Sequence, residues 1–223
     1  LLFPLSGVLS AMRITYITDI HGHTEFISRL PQADLFLVGG DFTQFGDRDA
    51  VAEVLAALRQ QSEHVLAVLG NLDAPDAQDV LAQNNAALTL TATTFGGLRL
   101  AGLGGANTSP FNTPFEWDDN TTDQTLTQAF PAPGALDILV SHAPPYDSGA
   151  DRLPNGASVG SRAVAQAARR LRLPLLLCGH IHEADGIFDL DGTIVVNPGP
   201  FSDQGRHACI DWQAGQRPTV WLA

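Results

Sequence analysis

The stretch Arg13-Ile14-Thr15-Tyr16-Ile17-Thr18, followed at once by Asp19-Ile20-His21-Gly22-His23, decides how the rest of the chain reads. Its first half is rich in β-branched and aromatic residues, the composition of a strand. Its second half sets two chemically capable side chains, Asp19 and His21, where that strand stops. The same grammar recurs downstream. Residues 35–38 read as a strand ending in Gly39-Gly40-Asp41, and residues 64–69 as one ending in Gly70-Asn71-Leu72-Asp73. Residues 136–140 lead into Ser141-His142, and residues 175–178 into Gly179-His180-Ile181-His182.

Further strands are predicted at 98–103, 193–196 and 207–212, with helical patterns at 24–30, 49–61, 76–83, 121–130 and 161–171. This alternation predicts an α/β layered fold. Near-continuous apolar strands predict sheets covered on both faces. The later strands, joined by short turns such as Asp191-Gly192, read as antiparallel, so a mixed sheet or two packed sheets are expected. Residues 104–134 show little periodicity before Thr121. A loop of that length is either a lid or an ordered surface excursion, and its Phe111, Phe115 and Trp117 are read either as stacking groups for a base or aromatic leaving group or as ordinary packing.

A chain of 223 residues with 44% hydrophobic content suits a single domain, taken as 12–223. Residues 1–11 are apolar and lack a basic segment, making a poor complete signal peptide; Met12 is read as the natural start and 1–11 as an upstream extension, with the tail end of an export signal as the alternative. Two cysteines, Cys178 and Cys209, give no disulfide framework, so a reducing, cytoplasmic setting is expected. The net charge is −12 and every basic residue is Arg. Such a surface repels nucleic acids and anionic membranes, so bulk nucleic-acid binding is disfavoured. No apolar stretch approaches the ~20 residues that span a bilayer. A homo-oligomer is left open.

Each strand-end motif alone is a weak signal, because an Asp-x-His or a Gly-Asp is more often a simple turn. Five strands that each deliver such residues to their carboxyl ends, where α/β sheets place ligands, are not accounted for by five independent turns. In order, the motifs D-x-H, G-D, G-N-x-D, H and G-H-x-H resemble the calcineurin-like metallophosphoesterases. The resemblance covers nearly the whole chain from Arg13 onward. Ser141-His142-Ala143-Pro144-Pro145, Gly160-Ser161 and Asn197-Pro198-Gly199-Pro200 resemble small prokaryotic, Icc-like members.

The resemblance implies a four-layer sandwich, two mixed β-sheets flanked by helices. It also implies that Asp19, His21, Asp41 and His182 hold one metal ion, and that Asp41 bridges to a second held also by Asn71, His142 and His180. Asp41, Asn71 and His142 are then catalytic as well as ligating. Two cations ~3.5–4 Å apart can share a carboxylate and a hydroxide, activate that hydroxide for attack, and clamp phosphate oxygens. Oxygen and imidazole ligands without thiolate favour Mn²⁺, the first choice, with Fe, Zn, Co or Ni as alternatives.

One position departs from the family pattern. Leu72 stands where many members carry a histidine implicated in protonating the leaving group, and leucine has no proton to give. The expected substrate is therefore a small phosphodiester or nucleotide, cyclic nucleotides included, rather than an ordinary monoester. Monoesterase and nuclease activities are alternatives, and so is a non-catalytic scaffold, although all seven ligand positions are filled. His23, two residues beyond His21, is a candidate proton donor or phosphate contact. Asp73 is a candidate for bonding groups behind the ligands. His64 and His207 begin strands and read as structural, and Arg48, Arg152 and Arg206 as solvated surface.

Overall fold

A computed structural model describes residues 11–213 and 215–223. All of the extension read at 1–11 except Ala11 lies outside the described residues.

The strands are β1 (Met12–Ile17), β2 (Leu35–Val38), β3 (Val65–Ala67), β4 (Thr93–Phe95), β5 (Leu98–Leu103), β6 (Ala106–Asn107), β7 (Glu116–Trp117), β8 (Ile138–Ser141), β9 (Leu175–Leu177), β10 (Gly186–Leu190), β11 (Thr193–Asn197), β12 (Ala208–Trp212) and β13 (Thr219–Leu222). The helices are α1 (Arg48–Arg59), α2 (Gln78–Gln83), α3 (Asp119–Ala129) and α4 (Arg162–Leu171). One sheet runs β13-β12-β1-β2-β3, the other β10-β11-β9-β8-β5-β4, and β6-β7 is a separate short pair. Both large sheets are mixed. β1, β2 and β3 are parallel neighbours, as are β11, β9, β8 and β5, with antiparallel strands at the margins.

Alternation along each strand builds three cores. On β2, Leu35 and Leu37 face the other sheet, while Phe36 and Val38 face helices. On β8 and β9, Ile138, Val140, Leu175 and Leu177 join the inter-sheet core, while Leu139 and Leu176 turn toward the opposite helical layer. This is why these strands read as unbroken apolar runs: both faces are buried. α1 covers the first sheet with Val51, Val54, Leu55 and Leu58, the i, i+3, i+4, i+7 stripe of an amphipathic helix. Asp47 caps it by accepting from the backbone N–H groups of Asp49 and Ala50. α3 and α4 lie against the second sheet. The layers are therefore helix, sheet, sheet, helix, as the resemblance implies.

Local departures have identifiable causes. The helix expected at 24–30 is only a 3₁₀ turn, Ile27–Arg29, with Ile27 its one buried residue and Pro31 soon after. The pattern at 76–83 starts as a 3₁₀ turn, Pro75–Ala77, before α2. β4, β10 and β13 are not among the expected strands; all three are short edge strands whose positions, the buried Leu190 apart, are exposed or half-buried. Residues 104–134 hold β6, β7 and α3. The segment is tied down by Gly105 N–H to the Leu69 carbonyl at 2.9 Å and Phe115 N–H to the Asn71 carbonyl at 3.1 Å. Among the described residues no helix is long and apolar enough to cross a membrane.

Candidate metal centre

The ends of β1, β2, β3, β8 and β9 converge on one side of the sandwich, and the expected ligands meet there. Asp19, His21 and His182 offer ligand atoms all within 4.8 Å of one another, and so do Asp19, Asp41 and His142. Asn71 joins through its Oδ1, 2.8 Å from His142 Nε2. His180 packs at a tilt against the same histidine, ring centroids 5.1 Å apart. Asp19, Asp41, Asn71 and His142 are buried, whereas His182 is exposed at the mouth.

The local backbone is bent to achieve this. Asp19, His21, Asp41 and His180 all have positive φ, between 48° and 69°. Asp and His tolerate that region better than most residues, so the ligands themselves make the turns that end their strands. Space is equally restricted. A Cβ on Gly70 would overlap the Asp41 carboxylate, and one on Gly179 would overlap Asp19 and Thr18.

Polar contacts behind the ligands orient them. Thr18 Oγ1 donates to Asp19 Oδ2 at 2.8 Å, and the His180 N–H donates to the same carboxylate at 3.1 Å. Leu72 N–H donates to Asp41 Oδ1 at 2.9 Å. Asp73, fully buried, accepts from Phe42 N–H (3.1 Å), Thr43 N–H (2.9 Å), Thr43 Oγ1 (3.0 Å) and Gly70 N–H (2.9 Å). It thereby joins the loop that follows Asp41 to the loop that carries Asn71. Asn197 donates from Nδ2 to the Ile181 carbonyl at 2.9 Å and accepts from Gly199 N–H at 3.0 Å. That contact gives the Asn197-Pro198-Gly199-Pro200 motif a physical task, supporting the loop between His180 and His182.

The donor set fits divalent cations on geometric grounds. His142 Nδ1 lies 2.8 Å from the Gly39 carbonyl, a partner that requires it to donate. In the neutral ring Nε2 then carries a lone pair facing the Asn71 oxygen at 2.8 Å and Asp41 Oδ2 at 3.6 Å. On the other side His21 Nε2 and His182 Nε2 are 3.3 Å apart, with Asp19 Oδ1 3.3 Å from His182 Nε2. Several electron pairs thus point at common centres, and either extra protons or cations must satisfy them.

The titration behaviour has the same origin. Burial, opposed by His142 and reinforced by the neighbouring Asp19 and Asp73 charges, pushes Asp41 up to about 7. Burial also works on Asp19 but is outweighed by the His182 hydrogen bond and the nearby imidazoles, which hold it well below the usual range. Burial lowers His180 to about 3, so that ring is a neutral ligand at neutral pH. The Asp19 hydrogen bond raises His182.

A cleft of about 460 Å³ opens over this cluster, bordered by His21, Asp41, Asn71, His180 and His182 and also by His23 and Leu72. His23 lies at the cleft, but its Nδ1 is paired with Glu25 Oε1 at 2.9 Å and the ring is half-exposed. His64 packs edge-on against Phe95 away from the cluster, and His207 bonds the Gly205 carbonyl. Arg152 and Arg206 pair with surface carboxylates. Sequence reasoning missed Thr18, Gln44, Phe45 and Ser202, of which the last three border the cleft. Only nearness to a motif marks them in the sequence.

Residues 12–184 match the calcineurin-like phosphoesterase family. An uncharacterized protein of Methanocaldococcus jannaschii is 35% identical over 203 residues, covering 86% of this chain and 89% of its own. The crystal structure of TT1561 of Thermus thermophilus superposes with a TM-score of 0.70 at 19% identity, covering 96% of this chain and 99% of that one. The phosphopantetheinyl hydrolase of Mycobacterium tuberculosis superposes with a TM-score of 0.62 at 17% identity, covering 86% of this chain and 91% of that one. At those identities the two structures speak for the fold alone. With the family's span covering most of the sandwich and an Asp/His cluster at its strand ends, the chain belongs to the calcineurin-like phosphoesterases.

Proposed function

We propose that this chain is a dinuclear metal-dependent phosphodiesterase, with Mn²⁺ as the preferred cation. The observation that carries the reading is the convergence of seven expected ligands beneath one cleft whose wall presents Leu72 instead of a proton donor. Asp19, His21, Asp41 and His182 would hold one ion, and Asp41, Asn71, His142 and His180 the other. When bound, the ions supply Lewis acidity toward phosphate oxygens and a water that ionises near neutral pH.

The chain's own groups do the rest. His142 is kept in one tautomer by the Gly39 carbonyl, and Asp41 is aimed by Leu72 N–H. The Leu72 side chain gives the departing oxygen no proton, which favours diesters whose leaving groups are acidic or strained. His23 Nε2 is the group proposed to supply one where it is needed, with Glu25 fixing the ring through Nδ1. A small substrate suits a cleft of this size better than a polymer, and the net charge of −12 opposes bulk nucleic acid. A reducing, cytoplasmic setting is part of the same proposal, because two cysteines in the sequence offer no disulfide framework.

The test uses chelator-treated protein given Mn²⁺, Zn²⁺ or Mg²⁺ in turn, with bis(p-nitrophenyl) phosphate and p-nitrophenyl phosphate as paired substrates. Metal-restored hydrolysis favouring the diester, and lost in Asp41→Ala, is the expected result. No turnover of either ester with any metal would refute the enzymatic reading and favour a scaffold.

A further inference from the structure

Among the described residues four large apolar side chains are exposed, and the two most exposed, Phe111 at 82% and Phe45 at 65%, border the same cleft as the metal-ligand cluster. Singly exposed phenylalanines are unremarkable. Two on the rim of one polar cleft, reaching it from different loops, call for an account.

Neither ring is on a loose loop. Phe111 lies on a turn held by Glu116, whose carboxylate accepts from Ser109 N–H (3.1 Å), Ser109 Oγ (2.7 Å), Thr113 N–H (3.0 Å) and Thr113 Oγ1 (2.8 Å). Phe111 N–H itself donates to Ser109 Oγ at 3.2 Å. Phe45 lies in the turn that Thr43 closes onto Gly46 N–H at 3.1 Å, and Thr43 is anchored to Asp73. Its φ of 59° is a conformation that a bulky aromatic residue rarely adopts. Such strain, together with exposure of an apolar ring to water, persists only where the surroundings enforce it. Leu72 adds an apolar wall, and Gln44 adds a hydrogen-bonding side chain on the same cleft. A planar heteroaromatic ring with polar edges is the ligand chemistry that matches this combination.

We infer that Phe45 and Phe111 form a stacking platform for the base of a nucleoside phosphodiester whose phosphate lies on the metal-ligand side of the cleft. This rests on the phosphodiesterase reading and narrows its substrate class. Stacking a base on an aromatic side chain is worth roughly tenfold in affinity, with a wide range around that figure.

Two measurements on the Mn²⁺-loaded protein separate the claims. Calorimetric titration compares adenosine 5′-monophosphate with ribose 5-phosphate, which lacks the base. The nucleotide should bind about tenfold tighter, and Phe111→Ala should remove most of that preference while leaving ribose 5-phosphate unaffected. Phe111→Trp should preserve it. Phe45→Asn, chosen because Asn accepts positive φ, should behave like Phe111→Ala. The second measurement compares kcat/KM for thymidine 5′-(p-nitrophenyl phosphate) and methyl p-nitrophenyl phosphate, which share a leaving group. A preference for the nucleoside ester that resides in KM and falls in both variants supports the platform. Equal turnover of the two esters, unaltered in the variants, overturns it while leaving the phosphodiesterase reading intact. A Phe-dependent preference for the nucleotide with neither ester hydrolysed sustains the platform and overturns the enzyme reading instead.

Discussion

Replacing Asp73 with Asn tests whether a residue that touches no expected metal position nonetheless builds the site. Its two oxygens serve four donors: Phe42 N–H and Gly70 N–H on Oδ2, and Thr43 N–H and Oγ1 on Oδ1. An amide keeps one oxygen and turns the other position into a donor facing donors. The Thr43 hydroxyl can rotate to accept, but at least one backbone N–H is stranded in a fully buried place, a penalty of about 1–3 kcal/mol. Weaker bonds to a neutral acceptor add to this loss. Burial raises the Asp73 pKa, so removing the charge returns part of it. A net loss of about 2 kcal/mol follows, lowering the melting temperature of a chain this size by roughly 4–8 °C. Because the same bonds join the loops bearing Asp41 and Asn71, Mn²⁺ affinity should fall by about 10–100-fold. Calorimetric melting of the chelated protein and Mn²⁺ titration measure the two effects. A variant that melts within a degree of the parent and binds Mn²⁺ equally well would refute this account of the loop junction.

Two further outcomes follow from named side chains. In the metal-free protein Asp41 keeps its proton up to about pH 7, whereas the unfolded chain releases it near 3.8. Its contribution to stability is therefore fully present below pH 3.8 and is lost as pH rises through about 7, with a slope of at most about 1.4 kcal/mol per pH unit. Asp41→Asn should flatten the decline between pH 4 and 7 in urea unfolding of chelated protein; identical slopes for the two would show that Asp41 is not the group responsible. Leu72→His should raise Mn²⁺-dependent hydrolysis of glycerol 2-phosphate, whose alkoxide needs a proton, by about 100-fold or more. Turnover of bis(p-nitrophenyl) phosphate should change little. If the alkyl ester remains inert, the identity of residue 72 does not set the preference.

The parts of this molecule legible in sequence are those where burial and chemistry coincide at a strand end. β2, β8 and β9 are buried on both faces and read as short apolar runs, β1 is buried from Ile14 to Ile17, and each leads into a residue able to bind a cation. Edge strands carry no such signal: β10 alternates half-buried and exposed positions up to the buried Leu190, and β13 alternates throughout. The pairing of Asp73 with Phe42 and Thr43 joins residues about thirty apart, and no local pattern announces it. Glu116 likewise looked like one acid in an irregular stretch, although four hydrogen bonds converge on it and hold its pKa down to about 2 against burial. Nothing in the sequence marks Phe45, because its exposure and its backbone angle are properties of the folded loop alone.

The arrangement of donors across the two sheets bears on how the sandwich finds its alignment. Apolar contact between sheets is nondirectional; Leu35 and Leu37 would be nearly as well buried if one layer slid past the other. The polar cluster is not so forgiving. Asp19 and Asp41 come from the first sheet, and His142 and His182 from the second, and each close group of possible ligands draws on both. A shift by one strand position would leave two buried carboxylates without their imidazole neighbours, a penalty of several kcal/mol that no gain in apolar area would offset. The residues that make the chemistry possible therefore also act as a vernier between the layers, selecting one alignment from the many that hydrophobic packing alone would accept.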